Sequence, residues 1–162
     1  MKKRAAFAFI GAILAGCAST GDVYRDVKPG MASGDVVARA GKPTLVGKQA
    51  DGGAYWDYSR QPYYTSRVSF GADDRVRDVR NLLTEENFEN LQPGMSQQDV
   101  VATVGPAFIF NKYGNGTTVW TYRYFDGAYK LLHATFDPSG RLLRYQTEWN
   151  PDAYSKGGSK KH

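Results

Sequence analysis

Pro93-Gly94-Met95-Ser96-Gln97-Gln98-Asp99-Val100-Val101-Ala102-Thr103-Val104-Gly105-Pro106 decides how this chain is read, because a near copy lies 64 residues upstream. Pro29-Gly30-Met31-Ala32-Ser33-Gly34-Asp35-Val36-Val37-Ala38-Arg39-Ala40-Gly41 aligns with it without a gap. The same offset carries Trp56 onto Trp120 and Tyr58 onto Tyr122. Val68-Ser69-Phe70 and Arg75-Val76 meet Ala134-Thr135-Phe136 and Arg141-Leu142 at an offset of 66. Self-similarity of this kind reads as an internal duplication.

Each copy of the box has the residues of a short helix with its stops. Ser96 is placed at an N-cap, and Asp99, three residues on, reaches back to it at the positive end of the helix dipole. Met95 and Val100 flank the cap as a hydrophobic staple, and Val100, Val101 and Val104 share a face. Gly105 suits a left-handed C-terminal residue, and Pro106 prevents continuation. In the first copy Ala32 stands at the cap, so Ser33 is expected to cap one residue late or the end to fray. A brief helix precedes each box. Asp22 caps the first, around Val23, Tyr24 and Val27; Thr84 caps the second, Glu85 to Leu91.

After each Gly/Pro stop the periodicity turns from helical to alternating. Strands are expected around 44–49, 55–59, 67–70 and 75–80, with a longer turn through Pro62, and then around 108–113, 118–125, 129–136 and 142–149. Asp126-Gly127 and Asp137-Pro138-Ser139-Gly140 punctuate the second set. The expected fold is α+β: tandem α-α-β4 units, each a helix pair on an antiparallel meander. Their bounds are 22–83 and 84–150. Trp120, Tyr122 and Tyr124 project one way and Val119, Thr121, Arg123 and Phe125 the other; Leu132, Ala134 and Phe136 oppose Tyr129, Leu131 and His133. The recurring Trp/Tyr and Leu/Ala/Phe sets are expected under the helices. The other face would then present Tyr55, Asp57, Arg67, Arg123, Tyr129 and His133 as a partner-binding surface.

The first residues read as a targeting segment. Lys2, Lys3 and Arg4 precede an apolar run, Ala5 to Leu14, that is short for a bilayer span. Leu14-Ala15-Gly16-Cys17 resembles a bacterial lipobox containing the chain's one cysteine. The expectation is a signal peptide over 1–16, cleavage before Cys17, diacylglycerol and an N-acyl chain on Cys17, and a tether over 17–21. The chain's 21 bases and 16 acids become 15 and 16 over 17–155, because the excess sits in the signal and in Lys156, Lys160 and Lys161. A nucleic-acid footprint needs clustered basic surface on the folded body, and no nucleic-acid partner is expected. Residues 151–162 read as a disordered basic tail.

Catalytic chemistry is hard to place. His133 is the one histidine of the body, and a general base needs an orienting partner. The carboxylates Asp35, Asp99, Glu85, Glu86, Asp73, Asp74 and Asp137 sit at caps and turns, which explains them. No nucleophile elbow, metal-ligand spacing or phosphate cradle is evident, so no enzyme, cofactor, metal or small-molecule substrate is expected. The aromatic residues read either as core or as a docking surface of Tyr, Trp and Arg anchors.

The lipobox, Gly94-Met95-Ser96-Gln97-Gln98-Asp99-Val100, Gly105-Pro106, Trp120-Thr121-Tyr122 and Phe136-Asp137-Pro138-Ser139-Gly140-Arg141-Leu142 together resemble the SmpA/OmlA (BamE-like) family of outer-membrane lipoproteins. Leu91 to Tyr145 carries the likeness best; the first copy has Ala32 at the cap and Asp73-Asp74-Arg75 at the turn. The resemblance implies a lipid anchor in the outer membrane facing the periplasm, with Ala18 after the acylated cysteine. It also implies a non-enzymatic scaffold that binds protein partners, among them barrel-assembly machinery. The family has one such unit, whereas this chain has two. A tandem of α-α-β4 units is similar in architecture to the β-lactamase inhibitor protein, which implies the alternative of a hydrolase inhibitor acting through an exposed sheet face.

Overall fold

The computed structural model describes residues 22–61 and 63–153, residues 60 and 61 by their backbone alone. The signal segment, Cys17, the tether, Pro62 and residues 154–162 lie outside the described residues. In chain order the elements are α1 (Val23–Asp26), α2 (Ser33–Ala40), β1 (Leu45–Lys48), β2 (Ala54–Gln61), β3 (Tyr64–Phe70), β4 (Val76–Asn81), α3 (Glu85–Phe88), α4 (Gln97–Val104), β5 (Ile109–Lys112), β6 (Thr118–Phe125), β7 (Tyr129–Phe136) and β8 (Leu142–Trp149). The chain is α+β, with two separate four-stranded antiparallel sheets, β1-β2-β3-β4 and β5-β6-β7-β8.

Helices of four and eight residues are too short to stand alone, so packing must hold them. Val36 and Ala40 of α2, and Val100 and Val104 of α4, are spaced by four and are buried. The α2 pair packs with Val23, Val27, Tyr58, Val68 and Phe70. The α4 pair packs with Phe88, Leu91, Trp120, Tyr122, Tyr124, Leu132 and Phe136. The aromatic and aliphatic faces assigned by alternation are therefore the helix-covered ones. The second core is larger, because β6 sends three aromatic rings inward.

The same local bonds recur in both halves. Gly30 N–H donates to the Val76 carbonyl and Gly94 N–H to that of Leu142. Tyr58 Oη donates to the Gly41 carbonyl at 3.2 Å and Tyr122 Oη to that of Gly105 at 3.3 Å. Arg75 reaches the Gly30 carbonyl as Arg141 reaches that of Gly94. Each bond ties the entrance or exit of a helix to its own sheet.

The helix caps differ. Ser96 and Asp99 form the full capping box: Asp99 N–H donates to Ser96 Oγ, and Ser96 N–H to Asp99 Oδ2 at 2.9 Å. Helix α2 starts from Ala32 with no side-chain cap, so of the two expected outcomes, a late cap by Ser33 or a frayed end, the Ser33 cap is not formed. Ser33 instead donates to Asp74 Oδ2 at 2.6 Å, and its N–H reaches the Asp74 carbonyl. Asp74 has φ +58°, a conformation an Asp tolerates better than most residues. The β-turn thus supplies the anchor that the cap lacks. Asp22 and Thr84 cap α1 and α3 as expected.

The Ser96 hydroxyl bond holds the Asp99 carboxyl below the ordinary carboxylate range. A carboxylate with a folded pKa below its unfolded one contributes stability above the unfolded value and loses it as pH falls through the folded one. The cap is therefore expected to weaken below about pH 4. Ser96→Ala should cost about 1 kcal/mol in urea unfolding at pH 7. Its deficit should narrow at pH 3, where the wild-type cap has itself weakened; an unchanged deficit would refute the role given to Asp99.

Two boundaries shift. Strands β2 and β3 extend to Gln61 and from Tyr64, which pair with each other, so this hairpin is tighter than the expected turn through Pro62. The described residues also run three positions into the stretch expected as a tail, 151–162. Pro151–Ala153 forms a 3-10 turn, and Asn150 is buried, its N–H on the Tyr129 carbonyl and its Oδ1 on the Asp152 N–H.

Candidate functional site

Asp57 on β2 and Arg67 on β3 are directly opposed in the antiparallel register. Alternation puts both on the face away from α1 and α2, as expected. They are not on the surface: Asp57 is 0 % exposed and Arg67 5 %. The guanidinium grips the carboxylate with two parallel bonds, Nε to Oδ1 and Nη2 to Oδ2, both 2.7 Å. Its remaining donors turn to the second half. Nη1 donates to the Ala102 carbonyl, and Nη2 lies 3.5 Å from that of Val101. These are carbonyls of the last turn of α4, where the helix dipole is negative and a cation is favoured.

The Tyr55 ring lies over the guanidinium, 4.0 Å from ring centre to Cζ. It can do so because Gly47, across the pairing from Tyr55, has no Cβ; one built there would meet the ring at 2.0 Å. Asp57 and Arg67, with the half-buried Tyr55 beside them, therefore form a joint between the two halves. This corrects the expectation that Asp57 and Arg67 would belong to an exposed partner-binding face. Strand alternation gives the face a residue is on, and here the second half covers that face.

Two further contacts complete the joint. Asn87 Nδ2 donates to the carbonyls of Leu82 and Thr103, both at 2.8 Å, tying the linker to the end of α4. Gly105, at φ +80°, lets the Thr65 methyl approach so closely that a Cβ would meet it at 2.7 Å.

The other three predicted residues lie on the outer face of the second sheet. His133 Nδ1 is 2.9 Å from Thr121 Oγ1, and Nε2 is 3.0 Å from Glu148 Oε1. The order hydroxyl–imidazole–carboxylate is that of a nucleophile with its base, yet Thr121 is only 6 % exposed. His133 is a satisfied surface residue bridging β6, β7 and β8. Glu148 was not singled out in the sequence, because it meets His133 on a diagonal across the strand pair rather than directly opposite.

Arg123 and Tyr129 do come together, at the seam between the halves. A cleft of about 270 Å³ is lined there by Tyr63, Arg123, Tyr129, Asn150 and Asp152. Tyr63, from the β2–β3 hairpin, packs on Tyr129 with ring centres 4.7 Å apart, and Phe125 packs on the same ring at 5.1 Å. Arg123 lies over the Phe108 ring at 4.5 Å. No carboxylate among the described residues forms an ion pair with it. Phe108, Phe125 and Tyr129 all remain exposed. Sequence reading missed Tyr63, Phe108 and Phe125 as members of this cluster, since it joins residues from both halves. Among the described residues no group of acidic, histidine or cysteine side chains could hold a metal ion, and no helix is long and apolar enough to cross a membrane.

No protein-family description and no curated protein matches the chain. Among solved structures it is similar to an extracellular SCP-domain protein from Bacillus anthracis, at 13% identity and a TM-score of 0.32, over 94% of this chain and 50% of that one. It is also similar to a DUF4309 family protein from Bacillus subtilis, at 20% identity and a TM-score of 0.29, over 74% and 78% of the two chains. The chain thus spans half the length of the SCP-domain protein. Likeness this slight carries no argument about fold or activity.

Proposed function

We propose that this chain is a non-enzymatic, lipid-anchored protein of the outer membrane, facing the periplasm. In this reading it is a duplicated relative of the SmpA/OmlA family and a scaffold that binds protein partners, barrel-assembly components among them. The duplication is supported by the gapless 64-residue offset and by the recurrence of the same Gly, Tyr and Arg bonds at equivalent positions. The anchor rests on Leu14-Ala15-Gly16-Cys17. A chain anchored this way would carry more than one acyl group, since a single one holds a membrane only marginally.

The observation that carries the scaffold reading is the exposed aromatic and cationic cluster of Arg123, Phe125 and Tyr129 with Tyr63 at the seam. Tyr and Arg are the residues interfaces favour as anchors. The alternative of a hydrolase inhibitor needs a broad open sheet face. It is less favoured, because the outer face of the first sheet is occupied by the Asp57–Arg67 joint.

Crosslinking the protein in its own envelope, beside a Cys17→Ser form, tests the reading. Barrel-assembly components should be recovered with the wild type and lost or reduced with Cys17→Ser. Recovery of a soluble hydrolase with both forms, and of no envelope component, would replace the scaffold with the inhibitor.

A further inference from the structure

The edge of β6 is covered along only half its length. Strand β5 pairs with it from Lys112↔Thr118 to Ile109↔Thr121, and the last bond runs from Phe108 N–H to the Thr121 carbonyl. The chain entering β5 comes off α4 through Gly105 and Pro106, so it cannot continue along the edge. In an antiparallel strand, the backbone groups of alternate residues point to the same side. The Thr121 carbonyl points at β5, and the N–H and C=O of Arg123 therefore point the same way, into the space beyond the end of β5. Pairing with β5 has stopped at Ile109↔Thr121, and no bond from a turn or loop among the described residues reaches either group.

At the matching place in the first half the backbone donor is taken. Ser59 stands where Arg123 stands, and its N–H donates to Thr44 Oγ1 at 3.2 Å. Phe108 stands where Thr44 does and has no hydroxyl to offer. The vacant edge in the second half is a difference between two otherwise matching sites.

The space beside Arg123 is a groove. Pro106, Ala107, Phe108 and Tyr122 line it from the second half, and Thr44 and Ser59 from the first. Arg123 lines both this groove and the cleft at Tyr63 and Tyr129, so the two meet at its side chain. The guanidinium lies over the Phe108 ring with no ion-pair partner among the described residues. The site thus offers a backbone donor and acceptor that face no strand, a cation that makes no ion pair among the described residues, although Asp152 lines the cleft beside it, and aromatic walls.

We propose that this half-edge takes an extended peptide segment of a partner protein as an added strand beside Arg123–Phe125, with an acidic side chain of that segment on the Arg123 guanidinium. The backbone bonds give the strand its register, and the cation selects a carboxylate, which a guanidinium can meet with two parallel bonds. Apolar side chains flanking the acid lie against Phe108 and Tyr129. The proposal deepens the scaffold reading and rests on it for the partner being a protein.

The test is a titration of the purified full chain with three blocked heptapeptides, followed by amide shifts and hydrogen exchange. One peptide carries Glu at its centre between Val and Thr residues, the second carries Gln there, and the third is the Glu peptide N-methylated at its central amides. The Glu peptide should slow exchange of the Arg123 amide. The Gln and the N-methylated peptides should each bind about tenfold more weakly, the scale of one charged or one backbone bond lost. Arg123→Gln should abolish the difference between Glu and Gln peptides, and Arg123→Lys should keep part of it. Equal binding of all three peptides, or binding that leaves the Arg123 amide unchanged, overturns the proposal. Failure here is separable from failure of the scaffold reading. A scaffold using another surface would still recover its envelope partners with Arg123→Gln, and would lose them only with Cys17→Ser.

Discussion

Replacing Arg67 by Met is expected to destabilise the protein by about 3–5 kcal/mol, because it leaves the fully buried Asp57 carboxylate without its counter-charge. The Met side chain fills much of the space, so cavity formation is not the main cause. The larger effect is electrostatic, joined by the loss of donors to the Ala102 and Val101 carbonyls at the end of α4. The paired change Asp57→Leu with Arg67→Met removes both charges together. It should recover most of the loss and fall within about 2 kcal/mol of the wild type, since an apolar pair often substitutes for a buried ion pair at little cost. Urea unfolding of the two variants measures this directly. A single variant within about 1 kcal/mol of the wild type would mean that the pair is solvated and the joint open.

Gly105→Ala is expected to cost about 2–4 kcal/mol, as the sum of two penalties that Gly94→Ala separates. Both glycines have positive φ, +80° and +90°, so an alanine is strained at either. At Gly94 a Cβ meets nothing within 4 Å, and only the conformational part, about 1 kcal/mol, should appear. At Gly105 the Cβ also strikes the Thr65 methyl across the joint. Trimming that methyl with Thr65→Ser should relieve the second penalty and leave the first. Equal losses for Gly94→Ala and Gly105→Ala, with no rescue by Thr65→Ser, would show that the halves separate easily at this point.

What could be read in advance follows from what strand alternation encodes. Trp120, Tyr122 and Tyr124 recur every second residue, and the side they share is the core side. Strands β6, β7 and β8 could be bounded because Asp126-Gly127 and Asp137 to Gly140 mark their ends. The role of Arg67 was hidden, since alternation assigns it a face and says nothing about what another half lays on that face. A sign of it was present. A charged pair at opposed positions between Tyr, Val and Ser residues is unusual on a strand unless the charges meet each other. The Arg123 edge was hidden for a different reason: it depends on where the short β5 ends, and strand ends are the least legible feature of a sequence. The Thr44 to Phe108 difference between the aligned stretches was its one visible trace.

The polar character of the joint also bears on the order in which the chain is made. The first half leaves the ribosome before α4 exists, so for a time its outer sheet face has nothing to cover it. Were that face built of Leu and Val, it would be an adhesive surface at the moment of greatest risk. With Asp57, Arg67, Ser59 and Thr65 it is wettable, and a nascent first half can wait in water. When α4 arrives, its terminal carbonyls replace that water around the guanidinium, and the face closes without having been greasy at any stage.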